Sequence, residues 1–287
     1  MRIGFILINV VMLEPRYDWC QNMYIKMLRD DGNFIFSDDF VDADGLIVFL
    51  HGHFWKNKYD LLNEHFNNYK WVLAIRTGDE EDAFDINKIN HVNIKWWVQY
   101  PTVNRDYGNA KLIPIGFPDY FNCIDSMPEK DIDIFLSAQD THIRRHEAFL
   151  ESNKISGNNF VNKTNGFSRG LSREEYLNLA LRSKIMPAPS GAISPDSFRL
   201  YEALEVGALP IADDVSPRIN SNGFFKKLFP DAPFPIITDW NELPEIIKNH
   251  NQDKQDIINR WWTNYKRSLI IDLKNDIDIL FKKGEII

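Results

Sequence analysis

"SGAISPDSFRLYEALEVGALPIADD", Ser190 to Asp214, decides the fold of this chain. A Gly-containing loop runs into a short helical pattern, and an apolar strand pattern follows. Pro195, Asp196 and Ser197 are helix start signals, which predicts a helix over Ser197–Val206. Strands are expected on either side, near Ser183–Pro187 and over Ala208–Ala212. That order is a βαβ unit and implies a parallel sheet. The first-turn N–H groups of such a helix carry partial positive charge and form an anion site. Gly191, Ser197 and Arg199 are therefore the expected phosphate ligands here. Glu202, at i+3 from Arg199, offers a carboxylate to sugar hydroxyls, with Glu205 as the alternative one turn further on. A phosphate and a polyol held side by side are what a nucleotide-sugar site requires. The competing reading is an ordinary exposed helix pair, worth a few tenths of a kcal/mol.

The same alternation extends outward in both directions. In the first half, strands are predicted at Ile3–Val10, Leu46–Leu50, Trp71–Ile75, Ile94–Val98 and Lys111–Pro114. Helices are predicted at Asp18–Asp30, Tyr59–Asn67 and Glu80–Ile89. Gly116 to Asp131, with Pro118 and Pro128, reads as a linker between halves. The second half restarts with a strand at Asp133–Ser137. Its other helices are predicted at Ile143–Ser152, Arg173–Ser183, Asn220–Phe229 and Trp240–His250. The tail from Asp253 to Lys283 is helical in period and charged.

Three segments carry a family resemblance. "PDSFRLYEALEVGALPI" resembles the donor-site segment of exostosin-like glycosyltransferases. "FLSAQDTHIRRHEAF", Phe135 to Phe149, is similar to that family's strand-to-helix turn with paired arginines. "GFSRGLSREEYLNLALRSKIMPAPSG", Gly166 to Gly191, fits the stretch between them. Together they cover most of residues 132 to 214, whereas residues 1 to 120 match only loosely. The resemblance implies an α/β protein of GT-B architecture, two Rossmann-like domains whose parallel sheets face a central cleft. It places an acceptor-side domain at residues 1–117, a linker at 118–131 and a donor-binding domain at 132–252. Residues 253–287 become a helix crossing back to the first domain. A UDP-sugar is the donor that the resemblance implies.

Composition narrows the function classes. The chain has 287 residues, 44% hydrophobic and 26% charged, the balance of a soluble globular protein. Its net charge of −8 argues against a general nucleic-acid binder, while leaving room for a local basic groove. Cys20 and Cys123 are the two cysteines, too few and too far apart for a disulfide framework. They suit a reducing cytoplasm. The apolar run to Leu13 is too short to span a membrane. No membrane anchor is expected, although animal and plant exostosin-type enzymes carry one. No Cys/His spacing suggests a metal. Asp42-Ala43-Asp44 is an acid-x-acid pair, but it precedes a strand instead of ending one.

Glycosyl transfer needs a stabilised leaving group, a positioned donor and, with inversion, a base for the acceptor hydroxyl. Arg144 and Arg145, at a helix start, join Ser197 and Arg199 as leaving-group ligands, because a guanidinium fork suits phosphate. Adjacent helical residues diverge, so one arginine of the pair is expected to face the ligand. For the base, Asp79, Glu80 and Glu81 follow one predicted strand, and His51 and His53 follow another. Ligands in such folds bind beyond the carboxyl ends of strands. Asp79, Glu80 and His53 are the nominated catalytic residues. The expected activity is sugar transfer from a nucleoside-diphosphate sugar, with no cofactor or metal required, by a monomer or weak dimer. Two acceptors compete: a saccharide of a surface glycan, or a hydroxymethylated pyrimidine in phage DNA. The second rests on similarity of style to phage-encoded glucosyl- and arabinosyltransferases. The alternative to an enzyme is a non-catalytic nucleotide-sugar sensor or scaffold.

Overall fold

A computed structural model describes residues 8–12, 20–29, 34–37, 39–78, 84–99, 107–124, 126–166, 169–218 and 222–285. The chain divides into two compact units, Met1–Ile115 with Lys266–Ile287, and Gly116–Tyr265. Both are α/β with parallel sheets, the class expected from the sequence.

Among the described residues of the first unit, the strands are β1 (Ile8–Met12), β2 (Ile35–Ser37), β3 (Gly45–His51), β4 (Trp71–Thr77), β5 (Ile94–Val98) and β6 (Lys111–Leu112). Helices α1 (Asn22–Arg29), α2 (Gly52–Trp55) and α3 (Tyr59–Phe66) lie between them in sequence. The strand order is β2-β1-β3-β4-β5-β6, every pair parallel. Central strands β3 and β4 are buried at every position, which is why they read as continuous apolar runs instead of alternating ones. Their register pairs Gly45 with Trp71 and His51 with Thr77. Gly45 is required there: a Cβ would lie 2.0 Å from the Trp71 ring, which is itself fully buried. The expected helix over Glu80–Ile89 is not formed in its described part. Asp85 instead caps a 3-10 turn at Ile86–Lys88 by accepting from the Asn87 N–H. A capping Asp with an apolar residue beside it satisfies the backbone locally and stops propagation.

The second unit holds β7 (Ile132–Gln139), β8 (Asn159–Thr164), β9 (Ser183–Ala188), β10 (Leu209–Asp213) and β11 (Ile236–Ile237), with α4 (Ile143–Lys154), α5 (Arg173–Leu181), α6 (Phe198–Glu205), α7 (Phe224–Leu228) and α8 (Leu243–Asn249). Its order is β11-β10-β9-β7-β8. Numbered within each unit, the sheets run 2-1-3-4-5-6 and 2-1-3-4-5, so each has a topological switch point, between β1 and β3 and between β7 and β9. A 3-10 turn at Asp119–Cys123 packs Phe121 into the second unit, with Phe117 buried nearby. The last helix, α9 (Gln252–Gly284), gives its first residues to the second unit and those from Lys266 onward to the first. In the second unit, Trp262 donates its indole N–H to Glu205 at 2.6 Å, and Trp261 and Tyr265 pack edge-on against Phe229. In the first, Asp276 accepts from the Trp97 indole at 2.8 Å. Among the described residues no helix is long and apolar enough to cross a membrane.

Candidate functional site

The candidate site forms where two turns meet at the carboxyl edge of the second sheet. One leads from β9 into α6. Ser190 and Gly191 are buried there, and Ser197 occupies the extended position before the helix. A serine in that place ordinarily accepts a bond from the first turn. Ser197 makes no such cap, and its Oγ, in a residue 6% exposed, has no protein partner. Ser190, fully buried, leaves its Oγ equally unpartnered. Buried hydroxyls left unsatisfied cost stability, so they call for a functional account. Asp196 accepts from the Tyr201 hydroxyl and pins the loop to the buried side of α6.

The second turn leads from β7 into α4. His142 stands before the helix, without a capping bond and with its ring against the Ser190 backbone. Burial, reinforced by the charge of Arg145, lowers its pKa to about 4, against a smaller opposing hydrogen bond to the Ser190 backbone. The imidazole is therefore neutral at pH 7 and presents one N–H donor.

The arginine pair divides as adjacent helical residues must. Arg144 donates through Nε to both oxygens of Asp213, at 3.2 and 3.1 Å, and through Nη2 to Oδ1 at 2.7 Å. Its Nη1 donates to Glu147 at 2.7 Å. Asp213, fully buried at the end of β10, also accepts from the Trp240 indole and the Val215 N–H, both at 3.2 Å. Arg144 thus ties α4 to β10. Arg145 instead donates to the Ser190 and Gln139 carbonyls at 3.3 and 3.4 Å, between the two turns. Arg199 donates through Nε and Nη2 to the Ser137 carbonyl, at 3.1 and 2.9 Å, which binds α6 to the end of β7.

Beyond the turns lies an aromatic niche. Glu202 is 5% exposed and accepts from the Tyr176 hydroxyl at 2.6 Å. Burial raises its pKa, opposed by the charge of Arg199 and by the Tyr176 bond. Tyr120 stands edge-on to Tyr176, and Arg173 lies over the Tyr120 ring at 5.7 Å. Burial first, then the charge of Glu202, pushes the Tyr120 hydroxyl far above the usual phenol range. Glu205 is used differently, as the acceptor for Trp262.

The structure therefore gathers Gly191, Ser197, Arg145, Arg199 and Glu202 at one edge of one sheet, and gives Arg144 and Glu205 to packing. His142, Ser190, Asp213, Tyr176 and Tyr120 went unnoticed in the sequence. His142 was legible in principle, as the last residue before a predicted helix at a strand end. The nominated Asp79 and Glu80, with Glu81, lie outside the described residues. His53 lies on α2, its side chain outside the described ones. His51 ends β3, buried against Phe54. Asp44 pairs with Lys70 at 2.7 Å. Among the described residues no three His, Cys, Asp or Glu side chains form a metal-binding group.

Comparison with known proteins brings in a family. Residues 146–278 match the family described as the RXYLT1 C-terminal domain, which includes α6 and Glu202. Over 125 residues the chain is 24% identical to ribitol-5-phosphate xylosyltransferase 1 of Homo sapiens, covering 38% of this chain. The match spans only 28% of that protein's length. Among solved structures, AviGT4, a glycosyltransferase involved in avilamycin A biosynthesis, superposes with a TM-score of 0.49 at 12% identity, over 92% of this chain and 98% of that one. An alpha1,3-fucosyltransferase superposes with a TM-score of 0.44 at 9% identity, over 99% and 84%. Superpositions this loose carry no inference about this chain.

Proposed function

We propose that the protein is a glycosyltransferase of GT-B type whose second unit holds a nucleoside-diphosphate sugar. One observation carries the reading. At the switch point between β7 and β9, the buried hydroxyls of Ser190 and Ser197 lack partners, beside His142, two helix starts and Arg145. These groups match a diphosphate, whose oxygens accept from hydroxyls, a neutral imidazole, a guanidinium and helix N-terminal N–H groups. Charge builds on that diphosphate as the glycosidic bond breaks, and fixed donors stabilise it without reorganising. Glu202, held by Tyr176, receives the ribose hydroxyls. The match of residues 146–278 to the RXYLT1 C-terminal domain and the 24% identity to a xylosyltransferase support the reading.

The donor is proposed to be a UDP-sugar. The acceptor is proposed to be hydroxyl-rich, a saccharide or polyol, in preference to hydroxymethylated phage DNA. The human relative is named for ribitol 5-phosphate, and a net charge of −8 repels a polyanion. In an inverting reaction the base falls to Asp79, Glu80 or His53 of the first unit. The test is a mass-spectrometric screen of UDP-sugars against ribitol phosphate, saccharides and hydroxymethylated DNA, with calorimetric UDP binding alongside. Transfer to a polyol or saccharide is the expected result. Absence of UDP binding would remove the donor assignment, and UDP binding without turnover on any acceptor would favour a sensor.

A further inference from the structure

Lys130 stands near the end of the Gly116–Asp131 segment, half-buried, and the donor site makes no direct use of it. Its ammonium donates to three main-chain carbonyls: Leu181 at 3.3 Å, Ser183 at 2.7 Å and Val206 at 2.8 Å. Leu181 is the last residue of α5, Ser183 is the first of β9, and Val206 caps the C-terminus of α6. The neighbouring carboxylates are taken by other cations, Asp131 by Arg182 at 2.8 and 2.5 Å and Asp133 by Lys184 at 2.7 Å. Burial lowers the Lys130 pKa to about 8, so the group is still charged at pH 7.

Two helix C-termini meet at this ammonium. The last carbonyls of a helix have no partner within it and carry the negative end of its dipole. Without a cation between them, the ends of α5 and α6 would repel and leave acceptors unsatisfied. An ammonium presents three donors around a compact charge, and here each reaches a different carbonyl. A planar guanidinium fork would not match that arrangement.

The same two helices carry a contact central to the donor site. Tyr176 of α5 donates to Glu202 of α6 at 2.6 Å, and the Val206 N–H donates to the Glu202 carbonyl at 3.1 Å. Val206 and Glu202 thus share the last turn of α6, so a bond that fixes one bears on the place of the other. A short bond between side chains of separate helices is sensitive to the spacing of those helices. We propose that Lys130 is a positioning residue: its ammonium draws the ends of α5 and α6 together and so holds Glu202 against Tyr176. That this serves a nucleotide donor rests on the transferase reading above; that it holds the contact does not.

Two double-mutant cycles on the full chain test the proposal. The first reads melting without ligand. Tyr176→Phe should lower the melting temperature of the otherwise wild-type chain, and should lower it clearly less in the Lys130→Met background. The second reads UDP affinity by calorimetry. Lys130→Met should weaken UDP binding about fivefold or more, and should weaken it no further where Glu202 is already alanine. Should Lys130→Met not fold, both cycles are run with Lys130→Gln, which is uncharged but keeps two N–H donors. Additive melting effects would overturn the proposal, because a lysine with no hold on the contact adds its cost independently. UDP affinity lost equally with and without Glu202 would overturn the link to the donor. Coupled melting in a chain that does not bind UDP leaves Lys130 as the holder of the contact and removes the donor reading instead.

Discussion

Glu202 shows how stability is spent on a site at the level of one residue. A carboxylate buried to 5% exposure with one hydroxyl donor is held at a cost, and its raised pKa reports that. For an acid whose folded pKa exceeds the unfolded value, stability falls as pH rises above the usual carboxylate range. Glu202→Gln should therefore raise the melting temperature at pH 7 while weakening donor binding. Glu202→Ala should lose about 1.5–3 kcal/mol of UDP affinity; calorimetry showing no change in a folded variant removes the residue from the site. His142 has the opposite sign. Its pKa, lowered to about 4, means the folded chain binds fewer protons than the unfolded one from there up to 6.5. Its contribution is complete above pH 6.5 and is lost as pH falls towards 4, so the acid side of the stability profile should flatten in His142→Gln. An unchanged profile would mean that the ring is solvated. The arginine pair separates packing from chemistry. Arg144→Ala strands Asp213 as a buried unpaired charge and should cost about 3–5 kcal/mol of stability. Arg145→Ala should fold with near wild-type stability and lose turnover. Equal melting temperatures for the two variants would contradict this division.

At the scale of elements, what was legible followed burial. Strands β3, β4, β7, β9 and β10 are central and apolar, and the sequence announces each. The edge strands β2 and β8 were missed for a physical reason. "NFVNKT" of β8 is partly exposed along its length and polar, and β2 has three residues, so neither leaves an apolar run. The β9–α6 turn was readable because its start signals are local, whereas the Arg144–Asp213 pair spans 69 residues of sequence and no local pattern encodes it. The same holds for Glu202, whose partner Tyr176 comes from another helix. Strand packing also gives a test. Gly45→Ala should destabilise the first unit by about 1–3 kcal/mol, because the added methyl meets the Trp71 ring and overpacks a filled core. Denaturant midpoints would check it, and Gly45→Ala with Trp71→Phe should recover part of the loss.

Charge belongs to the whole molecule, and it bears on the choice of acceptor. Acidic residues outnumber basic ones, 41 to 33, and the basic side chains of the candidate site are engaged locally: Arg144 by Asp213, Arg145 and Arg199 by backbone carbonyls. A protein built this way can neutralise a diphosphate at one edge, but it offers little to the repeating phosphates of a duplex. Binding to DNA releases one condensed counterion per neutralised phosphate, so affinity falls steeply with salt, by a log–log slope of about −0.9 per contact. A neutral polyol or saccharide acceptor releases none. Transfer measured at subsaturating acceptor across a range of salt should therefore change little beyond the modest weakening of the diphosphate contacts. UDP binding measured in the same buffers isolates that donor contribution. If transfer falls much more steeply than UDP affinity does, the acceptor is a polyanion and the hydroxyl-rich reading fails; parallel curves would favour it over DNA.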